Sequence, residues 1–291
     1  MSALTTRLVF ERVHDPAMSL SSGVNPSARS EVKLAVLDSV EELSEATDLF
    51  NQTWPAEVSV STLRALRKIG NYVGGAYRDG VLVGACLAFF GSAGNEVLHS
   101  HLAVVAATQR SSGIGWALKV AQRAWALERG VTRIQWTYDP LEARNAYVNL
   151  TKLSARPLEY LENFYGEHGD GPGPAFPTDR LVVSWDLASP RVVRAAHGDW
   201  LLEDPALEAL PAATLLRRDV TGAPREGRDH GEPVLLIAAP ENAAEIRASD
   251  PSLALEWRML LRHHLGRALE AGFETISFRR DGHYVVRRPG A

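Results

Sequence analysis

The chain has 291 residues, which at roughly 150 residues per domain points to two domains, or to one domain with a large appendage. Hydrophobic residues make up 45% and charged residues 23%, with 31 Lys+Arg against 35 Asp+Glu and a net charge of −4. This excludes a disordered chain, a collagen-like repeat and a coiled-coil rod, and it leaves no global positive field for nucleic acid.

Residues 1–30 read as an N-terminal appendage: Leu8 to Val13 has the pattern of a short strand, and Ser19 to Ser30, rich in Ser, Gly, Pro and Asn, reads as a linker. From Glu31 the pattern is regular. Val32 to Leu37 is strand-like, and Ser39 with Glu42 forms a capping box ahead of a helix that carries Val40, Leu43, Ala46 and Leu49 on one face. A second helix is expected around Ser61 to Ile69. Tyr72 to Tyr77 and Val81 to Phe90 are strands joined by the turn Arg78-Asp79-Gly80, and Val97 to Ala106 is a further apolar strand. The run Val81 to Gly91 is about half the ~20 residues a membrane helix needs. Cys86, the only cysteine, cannot form an internal disulfide, and no apolar signal segment opens the sequence, so a cytoplasmic location is expected.

Gly113 to Arg129 is a helix with Ile114, Leu118, Ala121 and Trp125 on its inner stripe, ending at Gly130, and Val131 to Tyr138 returns as a strand. Strand, helix and strand in that order predict a crossover and a partly parallel sheet. Ala143 to Leu153 is a helix, Tyr165 to Pro177 a Gly/Pro-rich loop, and Leu181 to Trp185 a closing strand. Residues 31–187 are thus expected as one α+β domain, and 188–291 as a C-terminal α/β subdomain. In the latter, Leu201-Leu202, Thr214 to Leu216, Val234 to Ala238, Thr275 to Phe278 and His283 to Arg287 have strand character. Asp250-Pro251 opens a helix with Leu253, Trp257, Leu260, Leu261, His264 and Ala268 on its apolar stripe. Ala126-Leu-Glu-x-Gly130 and Ala268-Leu-Glu-x-Gly272 match, each leading into an apolar-rich strand. Two readings stay open: a generic helix–Gly–strand junction, or a degenerate second copy. In such a copy Leu255 and Trp257 would stand where the first has Gly113 and Gly115.

The stretch Gln109-Arg110-Ser111-Ser112-Gly113-Ile114-Gly115 follows an apolar strand and opens an amphipathic helix. A turn there presents backbone N–H groups and the positive end of the helix dipole, and glycines remove the side chains that would hold an anion away; together these make a pyrophosphate cradle. The Gly-Lys-Ser/Thr of a P-loop is absent, and so are the third glycine and the acidic residue of a dinucleotide fingerprint. What remains is Arg110-x-x-Gly113-x-Gly115, which in this setting resembles the acyl-CoA-binding motif of the GNAT superfamily of N-acetyltransferases. The resemblance covers roughly residues 31–187. Trp136-Thr-Tyr-Asp-Pro140-Leu-Glu-Ala-Arg-Asn145, Pro177-Thr-Asp-Arg180 and Ala254-Leu-Glu-Trp-Arg258 resemble a group of uncharacterised predicted acetyltransferases across most of the chain.

The resemblance implies a GNAT-like α+β fold, a mixed and mostly antiparallel sheet flanked by helices, and acetyl-CoA or another acyl-CoA as co-substrate. It implies a fourth strand over Val97 to Val105, splayed from its neighbour, with main-chain groups of Ala103, Val104 and Val105 beside the pantetheine arm. Arg110, Ser111, Ser112, Gly113, Ile114 and Gly115 would hold the pyrophosphate, and Asn145 either bonds the cofactor arm or caps its helix. Histone-type members place an acidic general base on the fourth strand, and the equivalent position here is His99. Imidazole can take up an amine proton near neutral pH. His101 shares the strand face, and no third ligand accompanies the pair to make a metal site. Relatives carry a tyrosine acid at the position of Leu150, which cannot donate a proton; Tyr147 is preferred over Tyr138, Tyr160 and Tyr165. Trp54, Tyr165 and His168 are candidate walls for the acceptor, an amine on a small molecule, an amino acid or a peptide. Neither nucleic acid nor membrane is expected as a partner, and a homodimer is allowed. The alternative reading is a non-catalytic acyl-CoA-binding sensor or scaffold. Arg217-Arg218 and Arg279-Arg280 read as exposed basic faces, and His263-His264 as structural or solvated.

Overall fold

The computed structural model describes residues 8–12, 15–20, 31–54, 57–92, 97–168, 176–200 and 209–290. Most of the expected linker, after Leu20, and the strand pattern at Leu201-Leu202 lie outside them. The chain packs as two compact units, residues 1–135 and 136–291. Segment 136–187 therefore packs in the same unit as 188–291, whereas the sequence pattern draws its border at 187/188.

The first unit contains β1 (Leu8–Arg12), β2 (Asp15–Leu20), β3 (Val32–Val36), α1 (Val40–Asn51), α2 (Val60–Lys68), β4 (Tyr72–Arg78), β5 (Val81–Phe90), β6 (Val97–Val105), α3 (Ile114–Leu127) and the start of β7 (Arg133–Tyr138). Its strand order is β2-β1-β3-β4-β5-β6-β7, with β1 parallel to β3, β6 parallel to β7 and the other pairs antiparallel. The appendage adds β2, which takes up Ser19 and Leu20 from the expected linker and pairs them with β1. Ser39 Oγ accepts the Glu42 N–H at 3.2 Å, and the Glu42 carboxylate accepts the Ser39 N–H at 2.9 Å, so the capping box forms. Asp79 and Gly80 both take positive φ, 52° and 78°, as the tight β4–β5 hairpin requires. One face of the sheet buries Leu37, Leu43, Phe50, Leu63, Leu87 and Val104 with α1 and α2. The other face carries α3.

In the second unit β7 ends at Tyr138 and is followed by α4 (Ala143–Ala146), which runs on as a π-turn (Tyr147–Lys152). Then come β8 (Arg156–Leu161), the two-residue strands β9 (Glu167–His168) and β10 (Phe176–Pro177), β11 (Arg180–Asp186) and α5 (Pro190–Ala196). The order is β7-β11-β8, the last strand entering between the first two. The expected Gly/Pro-rich loop is pinned at its ends, because β9 and β10 pair. A second sheet is built from β12 (Ala212–Arg218), β13 (Pro224–Glu226), β14 (Val234–Ala238), β15 (Glu274–Phe278) and β16 (His283–Arg287), in the order β13-β12-β14-β16-β15. Between β14 and β15 lie α6 (Ala243–Ser249) and α7 (Pro251–Leu261), the latter continuing through a π-turn (Arg262–Gly266) into α8 (Arg267–Glu270).

The two parts of this unit share a topology. Strand β7, a helix with a π-turn, β8 and the inserted β11 match β14, a helix with a π-turn, β15 and the inserted β16. In this correspondence the junction at Gly272 aligns with the end of the π-turn helix before β8, not with Gly130. What Gly130 and Gly272 share is local: each ends a helix in the left-handed region, with φ of 73° and 80°.

Four acidic and basic positions remote in sequence, Asp139, Asp179, Arg258 and Arg262, hold the second unit together. Arg258, 1% exposed, makes two hydrogen bonds to the Asp139 carboxylate at 2.8 and 2.6 Å. One helical turn on, Arg262 makes two to Asp179 at 2.9 and 2.7 Å, and Tyr160 donates its hydroxyl to the same carboxylate at 2.8 Å. Tyr284 donates to the Pro140 carbonyl, and Thr151 Oγ1 to that of Phe278, both at 2.7 Å. The three segments that resemble uncharacterised acetyltransferases thus supply Asp139, Asp179 and Arg258 to one network. An Asp139→Asn variant leaves the Arg258 charge buried without its counter-ion and is expected to lose about 3–5 kcal/mol of stability in urea unfolding. A loss below about 1 kcal/mol would contradict this role.

Candidate active site

Strand β6 pairs with β7 at only three positions, Val97 with Arg133, Leu98 with Ile134 and His99 with Gln135. From Ser100 to Val105 that edge of β6 has no strand partner among the described residues, which is the splay the resemblance implies. On the other edge β6 pairs with β5 through a bulge: Leu102 faces Leu87 and Ser100 faces Ala88, so His101 is the extra residue. The bulge changes which face each residue takes. His99 and His101 lie beside Phe89 on the α1/α2 side, and Leu102 and Val104 follow them into that core. Ala103, opposite Cys86, and Val105, against Gly115, are turned to the α3 side.

Beyond β6 the chain makes a single 3-10 turn at Ala107–Gln109. Arg78 donates to the Gln109 side chain, and Ser112 Oγ donates to the Gln109 carbonyl at 2.6 Å. Ser111 and Gly113 then take positive φ, 66° and 89°. A serine in this region is uncommon and marks a turn held in shape by its surroundings. Gly113 is the N-cap of α3 and no side chain caps the helix, so first-turn N–H groups are presented at the turn with the dipole's positive end. Gly115 is not there for packing: a Cβ at that position would stand 3.7 Å from Val105 Cγ2, an ordinary contact. Gly84 is. A Cβ there would come within 2.8 Å of Ile114 and 3.0 Å of Leu118, so its bare backbone lets the start of α3 settle on β5. Ile114 is thereby buried, while Arg110, Ser111 and Gly113 are exposed. These groups fit an anionic pyrophosphate, and the free edge of β6 fits an extended polar arm.

The His99 and His101 rings are 5.7 Å apart, and each is 5.3 Å from Phe89. His101 Nε2 stands 3.4 Å from the carboxylate of Glu57, on the loop between α1 and α2. Burial pushes the pKa of His99 below 6.5, helped by His101 and Lys119, so its imidazole is neutral at pH 7. Lys119 carries no signal in the sequence beyond being one cation in an apolar helix. It is buried against the opposite face of β6, donating to Ser100 Oγ at 2.8 Å and Gln122 Oε1 at 2.9 Å, and burial pushes its pKa down to about 7. Cys86 is buried too, and its thiol is pushed up to about 11. Among the described residues no three His, Cys, Asp or Glu side chains cluster to hold a metal ion.

The remaining candidates lie in the second unit. Asn145 is exposed on α4, and the half-buried Tyr147 accepts a hydrogen bond from Arg280 Nε at 3.1 Å. Leu150 is buried, and Ser154, four residues on, has φ 56°, in the left-handed region that favours glycine. Burial raises the pKa of both Tyr138 and Tyr160, which makes neither phenol a ready proton donor. Trp54 and Tyr165 are partly exposed, and the side chain of His168 lies outside the described residues.

Residues 43–150 match the family model described as the acetyltransferase (GNAT) family. No curated protein matches the sequence. Solved structures that the chain is similar to include an N-acetyltransferase from Staphylococcus aureus Mu50, at 13% identity and TM-score 0.47 over 54% of this chain and 99% of that one. Another is yncA, a putative acetyltransferase from Salmonella typhimurium with its cofactor acetyl-CoA, at 15% identity and TM-score 0.45 over 55% and 97%. A third is the diaminobutyrate acetyltransferase EctA from Paenibacillus lautus in complex with L-2,4-diaminobutyric acid and coenzyme A, at 19% and 0.44 over 55% and 98%.

The packing of Gly84 is directly testable. Gly84→Val forces Ile114 and Leu118 away from β5 and is expected to cost about 1–3 kcal/mol, measured by chemical denaturation. An unchanged stability would show that α3 does not rest on that glycine.

Proposed function

Because residues 43–150 carry a GNAT-family domain, we propose that this chain is an acyl-CoA-dependent N-acyltransferase that moves an acetyl or other short acyl group to an amine. The observation that supports it best is the uncapped start of α3 behind two left-handed residues, next to a strand edge without a partner. In this proposal residues 31–187 are the catalytic domain, 188–291 are an accessory subdomain derived from a degenerate copy, and the acceptor is a small molecule, an amino acid or a peptide.

The acyl-CoA supplies the thioester carbonyl that the amine attacks. Arg110 through Gly115 hold the pyrophosphate with backbone N–H groups and the Arg110 guanidinium. Main-chain groups of Ala103, Val104 and Val105 position the extended arm in the manner of an added strand. His99, neutral near pH 7, takes the proton that the acceptor ammonium must lose, directly or through a water. His101, beside Glu57, holds the neighbouring ring in place and stands second in line as the base. As the new C–N bond forms and the C–S bond breaks, the departing sulfur must take up a proton, which Leu150 cannot give.

Thiol release with acetyl-CoA and a panel of amines tests the proposal. His99→Gln is expected to lower kcat by about 100-fold or more, with coenzyme A affinity within about twofold of wild type. The sign of the pH effect follows from the neutral base. Wild-type kcat/KM should rise with pH to a plateau, with its acidic inflection below 6.5, and His99→Gln should remove that limb. A wild-type protein that binds acyl-CoA yet releases no thiol with any amine would overturn catalysis in favour of a non-catalytic acyl-CoA-binding module.

A further inference from the structure

The second sheet has a cavity of its own, about 440 Å³ in volume and within the size range of small-molecule sites. Its position follows from topology. β12 and β14 are parallel, so both carboxyl ends open on the same side, and β16, antiparallel to β14, begins there with His283 opposite Ala238. The crevice beyond the carboxyl ends of such strands is where open α/β sheets collect ligands. Just as the Arg110–Gly115 turn follows β6, the first strand of the parallel pair β6/β7, the segment from Asp219 to Gly222 follows β12 and lines this cavity.

The lining combines fixed charge with apolar surface. Arg218 donates to the Asp281 carbonyl and stands 3.6 Å from the Glu241 carboxylate. Its guanidinium lies over Gly282, where a Cβ would come within 2.7 Å of Nη2, so the glycine makes room for it. His283 Nδ1 is held at 2.9 Å by Asp281. The Asp219 carboxylate is engaged by Thr221, Ala223 and Arg225. That leaves Arg217, an exposed residue of the cavity lining, with no ion pair or side-chain hydrogen bond among the described residues. Ile246 and the fully exposed Val220 supply the apolar wall and rim. The exposed basic pair expected at Arg217-Arg218 contributes to the lining of a concave site, with Arg217 exposed and Arg218 partly buried and pinned.

We propose that this cavity binds a small organic anion, its carboxylate or phosphate held by Arg217 and Arg218 and its apolar body lying against Val220 and Ile246. The cavity is lined by residues of the second unit and shares none with the α3 turn. Calorimetric titration of the full chain with succinate and with inorganic phosphate tests it. Saturation by succinate alone identifies a carboxylate ligand, and saturation by phosphate alone identifies a phosphate ester. Arg217→Ala, at an exposed position, should weaken that binding at least tenfold. Arg228→Ala, which removes an exposed arginine outside the cavity, should leave it within twofold, and saturating coenzyme A should not displace the anion. Failure of both anions to saturate would overturn the proposal. So would equal weakening in the two variants, which indicates diffuse charge, or displacement by coenzyme A, which places the anion at the α3 turn.

Discussion

The early parting of β6 from β7 is the constraint on which the candidate active site depends. Three residue pairs join the two strands; beyond them β6 keeps only its β5 edge and presents main-chain groups on the other. A strand edge left open inside a fold is a liability unless something pairs with it, and an extended polar arm does so with the geometry of an added strand. The bulge at His101 lies in this same stretch. It lets Leu102 and Val104 anchor the strand in the α1/α2 core while Ala103 and Val105 turn toward α3. The two histidines stay with Phe89 on the α1/α2 side, away from the face that Ala103 and Val105 take.

The turn after β6 leaves Arg110, Ser111 and Gly113 exposed and the start of α3 without a side-chain cap. Ser112 and Arg78 satisfy Gln109, Ile114 is sunk against Gly84, and Ser111 and Gly113 both take left-handed backbone conformations. The start of α7, which follows β14 as α4 follows β7, is closed. Asp250 caps α7 with its own carboxylate, accepting the Leu253 N–H at 3.0 Å. Its negative charge occupies the place an anion would take. By the shared topology β12 is the counterpart of β6, and among the described residues the segment from β12 to β14 holds β13 and no helix, so nothing there matches the start of α3.

Much of this is legible in the sequence because it is local. Capping residues, the Asp79-Gly80 hairpin and the stripes of α1 and α3 depend on spacing alone, and Arg110-x-x-Gly113-x-Gly115 sits where the strand–turn–helix context requires it. What is not legible is set at long range. β8 has no alternating apolar pattern, because it is held by Arg156 reaching the carbonyls of Thr275 and Ile276. The Asp139–Arg258 pair joins positions 119 residues apart. Period-two counting places His99 and His101 together correctly but fails after the bulge, where one extra residue exchanges the faces. Lys119 looks like any helix cation until burial and Ser100 give it a context.

The central claim is that an acyl-CoA pyrophosphate lies on the start of α3, and Gly115→Asp tests it most directly. The position has room for a Cβ, and a carboxylate in the first turn favours the helix dipole, so folding should not suffer. The same carboxylate would stand in the anion's place. Calorimetric titration with acetyl-CoA is expected to show saturable 1:1 binding to the wild type and at least a tenfold weaker affinity in the variant, at unchanged or raised thermal stability. Equal affinity in the two proteins, or no saturable binding to the wild type, would contradict the account.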